Sequence, residues 1–125
     1  MAPPVVLLDA NALMMPFQFP IDLEGELVRL FGQVTAKVPS SVLRELERLA
    51  PANATAKAAL RFAARFPVLE VEGEGDDALL ALARTEGAAV LTNDKALRRR
   101  VREAGLPVVF LRERSRLEAV GRPPG

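Results

Sequence analysis

The sequence predicts a single α/β domain built on a mostly parallel sheet. Short apolar runs alternate with stretches of helical period, the pattern of strand–helix–strand units. Three of the runs are almost continuously apolar, as strands covered on both faces are. The 125 residues suit one compact domain, and 50% of them are hydrophobic, enough to form a core.

The strands are expected at Val5–Leu8, Val34–Val38, Ala88–Leu91 and Val108–Leu111, with a weaker one at Val68–Val71. A helix over 22–31 places Leu23, Leu27, Leu30 and Phe31 on one side. Ser41 reads as the N-cap of a helix over 42–49. The Ala-rich stretch 54–66 forms the next helix. Leu79, Leu80, Leu82 and Ala83 mark a helix over 76–86, which Gly87 stops. Leu97, Val101 and Ala104 mark the last, over 93–104, with Gly105 as its stop. The domain is read as residues 1–125, with a core over about 5–111 and a basic tail over 112–125 whose last residues fray.

Composition narrows the chemistry. The chain has no Cys and no His. Thiolate catalysis, zinc ribbons, imidazole bases and Ser-His-Asp triads are excluded. A metal site would have only oxygen ligands, which favours Mg²⁺ or Mn²⁺. No apolar run is long enough to span a membrane, and the first residues lack a basic signal-peptide region. A cytoplasmic location without membrane contact is the expectation.

Carboxylates stand where α/β sheets place their ligands, beyond the carboxyl ends of strands. Asp9 follows the first strand and Asp94 the fourth in chain order. Asp76 and Asp77 open a helix, and Glu45 lies one turn into another. Singly, each has an ordinary explanation as a turn residue, a cap or a solvated charge. Together they would repel and raise one another's pKa, and a hard divalent cation relieves this. Asp9, Asp77, Asp94 and Glu45 are the expected catalytic and metal-holding set, with Asp76 as an alternative. Phosphodiester hydrolysis suits such a site, because metals activate water without a histidine base. Asn11 and Thr92 stand by as supporting polar groups, or as plain loop and strand-end residues.

The ordered pieces Val-Val-Leu-Leu-Asp9-Ala-Asn11, Val42-Leu-Arg-Glu45-Leu46, Asp76-Asp77-Ala-Leu-Leu-Ala-Leu-Ala83 and Leu91-Thr92-Asn-Asp94 resemble the PIN-domain ribonucleases. The resemblance spans nearly the whole chain. It implies a three-layer, Rossmann-like α/β/α fold and an acidic cluster that binds Mg²⁺ or Mn²⁺ and cuts RNA. By motif it assigns the acidic positions to Asp9, Glu45, Asp77 and Asp94, with Asp76 as cap or second carboxylate. The stretch from Thr92 to Arg100 is similar to archaeal relatives of the small-subunit rRNA-processing nucleases. The chain length also suits VapC toxins of toxin–antitoxin pairs. Ribosome-assembly factors, an antitoxin and a second copy of the chain are the partners these branches imply.

The net charge of +1 hides an asymmetry: residues 92–125 carry +5 and the rest −4. On the last helix Lys95, Arg98, Arg99 and Arg102 fall on one face. If the following chain is extended, Arg112, Arg114 and Arg116 share a side as well. These are the expected RNA-backbone contacts; the alternative is a solvated face. Leu13 to Pro20 reads as core packing, with base stacking or a dimer surface as alternatives. Two other functions compete with the nuclease: a non-catalytic RNA- or protein-binding module, and a phosphotransfer or receiver domain. Asn11 stands where a dehalogenase-type phosphatase needs Asp, and the order of acids does not fit a receiver.

Overall fold

The computed structural model describes residues 3–121. Six strands form one sheet: β1 (Val5–Leu8), β2 (Thr35–Pro39), β3 (Val68–Leu69), β4 (Ala89–Leu91), β5 (Val108–Arg112) and β6 (Arg116–Val120). Their spatial order is β3-β2-β1-β4-β5-β6, parallel throughout except for the antiparallel β5–β6 pair. Six helices connect or flank them: α1 (Ala10–Met14), α2 (Leu23–Phe31), α3 (Ser40–Leu49), α4 (Ala54–Ala63), α5 (Gly75–Glu86) and α6 (Lys95–Glu103).

From β1 the chain steps one way to β2 and β3, then returns to β4 and continues to β5. Right-handed crossovers therefore put α2, α3 and α4 on one face and α5 and α6 on the other. The result is a three-layer α/β/α domain. The direction reverses between β1 and β4, and a crevice opens at such a switch point beyond the strand ends. Val6, Leu7, Leu8, Val90, Leu91 and Val109 have no solvent exposure, as central parallel strands should.

The five expected strands and five expected helices are present, with shifted ends. α3 starts at Ser40 rather than after Ser41; Pro39 occupies the N-cap and supplies no side-chain bond. α5 likewise begins behind Glu74, so Asp76 is not its cap. α6 begins at Lys95, capped by Asp94, whose side chain accepts from Leu97 N–H at 3.0 Å. Gly87 ends α5 at φ 62, a left-handed position that suits glycine.

Among the strands and α-helices, two were not expected. α1 is only five residues long and follows Asp9 directly. β6 occupies the start of the expected basic tail: the chain turns at Glu113 and Arg114, both at positive φ, and pairs back on β5. Its outer edge is closed by α2. Leu117 N–H donates to Glu26 Oε1 at 2.9 Å, and Leu117 C=O accepts from Arg29 Nη2 at 2.7 Å. Two side chains thus do what a seventh strand would do, which keeps the edge from pairing elsewhere. The expected fraying concerns residues 122–125, which lie outside the described residues.

Candidate active site

At the switch point a cleft of about 140 Å³ is lined by Asp9, Ala10, Asn11, Ser41, Val42, Glu45, Gly75, Asp76, Leu79 and Asp94. β1 delivers Asp9, the turn after β4 delivers Asp94, and α3 and α5 bring Glu45 and Asp76. Elements far apart in sequence meet here because the sheet reverses direction between β1 and β4.

Asp9 caps α1, its Oδ1 accepting from Ala12 N–H at 2.7 Å. Burial pushes its carboxyl up to about 7, against the pull of the Thr92 hydroxyl and the Ala12 N–H. The charges of Glu45 and Asp76 push it further in the same direction. Asp76 also lies above the usual carboxylate range, through partial desolvation and then the charge of Asp94. Both shifts come first from desolvation, with neighbouring acids adding to it; Arg100, outside the cleft lining, pulls Asp76 the other way.

Asp77 points elsewhere. Its side chain is 87% exposed and pairs with Arg100 on α6. Of the two adjacent aspartates the cleft takes Asp76, contrary to the choice made from sequence. Residues i and i+1 on a helix do not share a face, so only one of them can enter.

A web of polar groups holds the acids. Thr92 is fully buried; its Oγ1 accepts from Asp94 N–H at 3.1 Å. Asn11 Oδ1 accepts from Asn93 N–H at 3.0 Å and ties α1 to the turn carrying Asp94. Asn93, not singled out from the sequence, accepts from Leu111 N–H at 2.8 Å. β4 stops at Leu91, so the Asn93 amide extends its ladder toward β5 by one acceptor. Ser41, expected as a cap, is instead the second residue of α3 and lines the cleft.

The expected basic contacts divide. Lys95, Arg98, Arg99 and Arg102 line one groove of about 290 Å³ over Val108, Phe110 and Val120. Arg98 stacks on Phe110, 3.7 Å from the ring centre. Arg112, Arg114 and Arg116 do not continue that face, because the turn reverses the chain. Arg112 pairs with Glu118 at 2.7 Å and shares a cavity of about 370 Å³ with Arg29 and Arg116. Arg114 sits over Phe19 at 5.5 Å. In the 13–20 stretch, Leu13 and Met15 are buried in the core, and the exposed Phe17 packs edge-on against Phe62.

In kind, four carboxylates at one cleft suit a hard divalent cation. In position they are open: among the described residues no three acids stand close enough to hold one ion together. Side-chain rotation or bridging water would be needed to close the set, and Mg²⁺ commonly retains water.

Residues 6–114 match the sequence profile of the PIN-like domain. The chain belongs to the PIN-like domain family. Among relatives of this PIN-like chain, Ribonuclease VapC9 of Archaeoglobus fulgidus is 36% identical over 116 residues, covering 89% of this chain and 85% of the relative. The solved PIN domain endonuclease Utp24 superposes with a TM-score of 0.83 at 26% identity, over 98% of this chain and 95% of that one. A domain of a functionally unknown protein from Methanocaldococcus jannaschii shares the PIN-like fold, with a TM-score of 0.66 at 16% identity over 87% and 91% of the two chains.

Proposed function

We propose that the protein is a metal-dependent endoribonuclease whose active site is the cleft of Asp9, Glu45, Asp76 and Asp94. The observation that carries the reading is the burial of Asp9 among other acids at the switch point. A lone buried carboxylate with a raised pKa has several uses; one facing three more acids suits a divalent cation. A ribonuclease and an endonuclease among its relatives support RNA as substrate.

The chain's own residues divide the work. Asp9 and Asp94, carried past the ends of the paired strands β1 and β4 into one cleft, are the main cation holders. Glu45 and Asp76 close the cleft from α3 and α5 and orient the attacking water. Thr92 and Asn11 fix the carboxylate-bearing segments through the bonds described above. Asp77 is left as a structural partner of Arg100 rather than a ligand. A bound Mg²⁺ or Mn²⁺ supplies activation of water and neutralisation of charge at the attacked phosphate.

Lys95, Arg98, Arg99 and Arg102 carry the RNA backbone away from Asp94 along α6, with Arg112 and Arg114 as outlying contacts. Two roles fit this chemistry: rRNA processing beside assembly factors, or a VapC-type toxin held by an antitoxin. No helix among the described residues is long and apolar enough to cross a membrane. End-group analysis of the products tests the reaction. Hydrolysis by water predicts 5′-phosphate and 3′-hydroxyl ends; a 2′,3′-cyclic phosphate would refute it.

A further inference from the structure

Every helix begins with N–H groups that lack partners within the helix, and this end carries partial positive charge. At α3 the residue before the first turn is Pro39, and no side chain caps the turn. That feature by itself assigns nothing, but a second one lies beside it. Ser41, the second residue of α3, is 5% exposed and lines the carboxylate cleft. Its hydroxyl makes no hydrogen bond with any described residue, whereas that of the adjacent Ser40 donates to Val71 C=O and accepts from Val71 N–H. No fully buried polar side-chain atom among the described residues lacks a partner, so the unpaired Ser41 hydroxyl opens onto the cleft, where it can donate to what the cleft receives.

We propose that the Ser41 hydroxyl and the first-turn N–H groups of α3 form a phosphate seat for the RNA backbone, in the same cleft as the carboxylates. The proposal rests on the nuclease reading for the identity of its ligand. A phosphodiester has two non-bridging oxygens. The carboxylate side, once neutralised, takes one; the α3 terminus offers neutral donors to the other, where a second cation would be redundant. Ser41 and Glu45 are four residues apart on one helix, so they lie on one face at fixed separation. The helix thus sets where the phosphate sits relative to an acid of the catalytic set.

The test pairs Ser41→Ala and Ser41→Asp with three readouts. The first is affinity for a fluorescein-labelled ten-nucleotide phosphorothioate RNA in Mg²⁺. The second is Mn²⁺ affinity without RNA, by electron paramagnetic resonance. The third is the backbone amide spectrum of the wild type titrated with dimethyl phosphate in Mg²⁺. Ser41→Ala should weaken RNA binding about three- to tenfold, the loss of one hydrogen bond. Its Mn²⁺ affinity should stay within about twofold of the wild type. Ser41→Asp should bind RNA more weakly still, because it puts negative charge in the seat. Dimethyl phosphate should move the Ser41 and Val42 amide signals. Unchanged RNA affinity in Ser41→Ala would overturn the proposal. A parallel fall in Mn²⁺ affinity would overturn it too, by making Ser41 part of the metal's surroundings. If the wild type cuts no RNA with any divalent cation, the nuclease reading fails, and the amide shifts still decide the seat.

Discussion

Among single residues, Asp9 is the most strongly perturbed acid of the cleft. Its carboxyl is raised from 3.8 to about 7 by burial, so the native state holds a proton that the unfolded state has released. Stability without metal should therefore fall as pH rises from about 4 to 7, and the cost is fully present above that range. Asp9→Asn keeps the cap acceptor for Ala12 and removes the titration. In EDTA at pH 8 this variant should be more stable than the wild type by about 2–4 kcal/mol, the gap closing near pH 4. Chemical denaturation at several pH values checks this; a gap independent of pH would contradict it. The adjacent aspartates give a second residue-scale prediction. Asp76→Asn should cut RNA cleavage at least about tenfold, through loss of an orienting carboxylate. Asp77→Asn removes only an exposed pair and should cost less than about 1 kcal/mol of stability, with cleavage near that of the wild type. Kinetics of the two variants side by side decide; the reverse order would return Asp77 to the cleft. Spacing could not settle this choice, because it locates a helix start only to within a residue or two and one step turns the side chain away.

At the scale of elements, the turn after β4 does the positioning. Asn93 receives Leu111 N–H and gives its own N–H to Asn11, so it ties β4, β5 and α1 together beneath Asp94. Asn93→Ala leaves the Leu111 N–H without its acceptor and should cost about 1–2 kcal/mol. Asn93→Asp preserves an acceptor there and should recover most of that stability. Thermal melts with Mn²⁺ titrations read both effects, and an Asn93→Ala protein as stable as the wild type would contradict the role. The main strands and helices were legible because burial on two faces writes continuous apolar runs and burial on one face writes a helical period. α1 was not legible: five residues are too few to show a period. β6 was hidden because Arg116 and Glu118 break up its apolar residues and its outer edge is satisfied by side chains from α2, whose pairing with Leu117 spans some 90 positions. Asn93 was passed over because nothing in an isolated Thr-Asn-Asp tells which amide replaces a strand.

At the scale of the whole molecule, the split between an acidic body and a basic C-terminal third acquires a geometry. Four acids line the cleft at the switch point, and four of the basic residues line a groove that includes Lys95, the residue after Asp94. The fold is what joins them, since α6 starts where β4 ends. Replacing Lys95, Arg98, Arg99 and Arg102 by Gln should weaken RNA binding and flatten its salt dependence by up to about three units of slope. Binding measured across a salt series checks this, and an unchanged slope would make the groove a solvated face. The acid positions Asp9, Glu45 and Asp94 were legible as a set because each follows a strand end or a helix start; their convergence needed the strand order, which no local pattern reports.

The most direct measurement is the cleavage rate of one labelled RNA by the wild type and by Asp94→Asn, each in Mg²⁺, in Mn²⁺ and in EDTA. The wild type should cut with either cation and not in EDTA, and Asp94→Asn should lose at least about a hundredfold at equal folded concentration. Cleavage that persists undiminished in EDTA or in Asp94→Asn would contradict it.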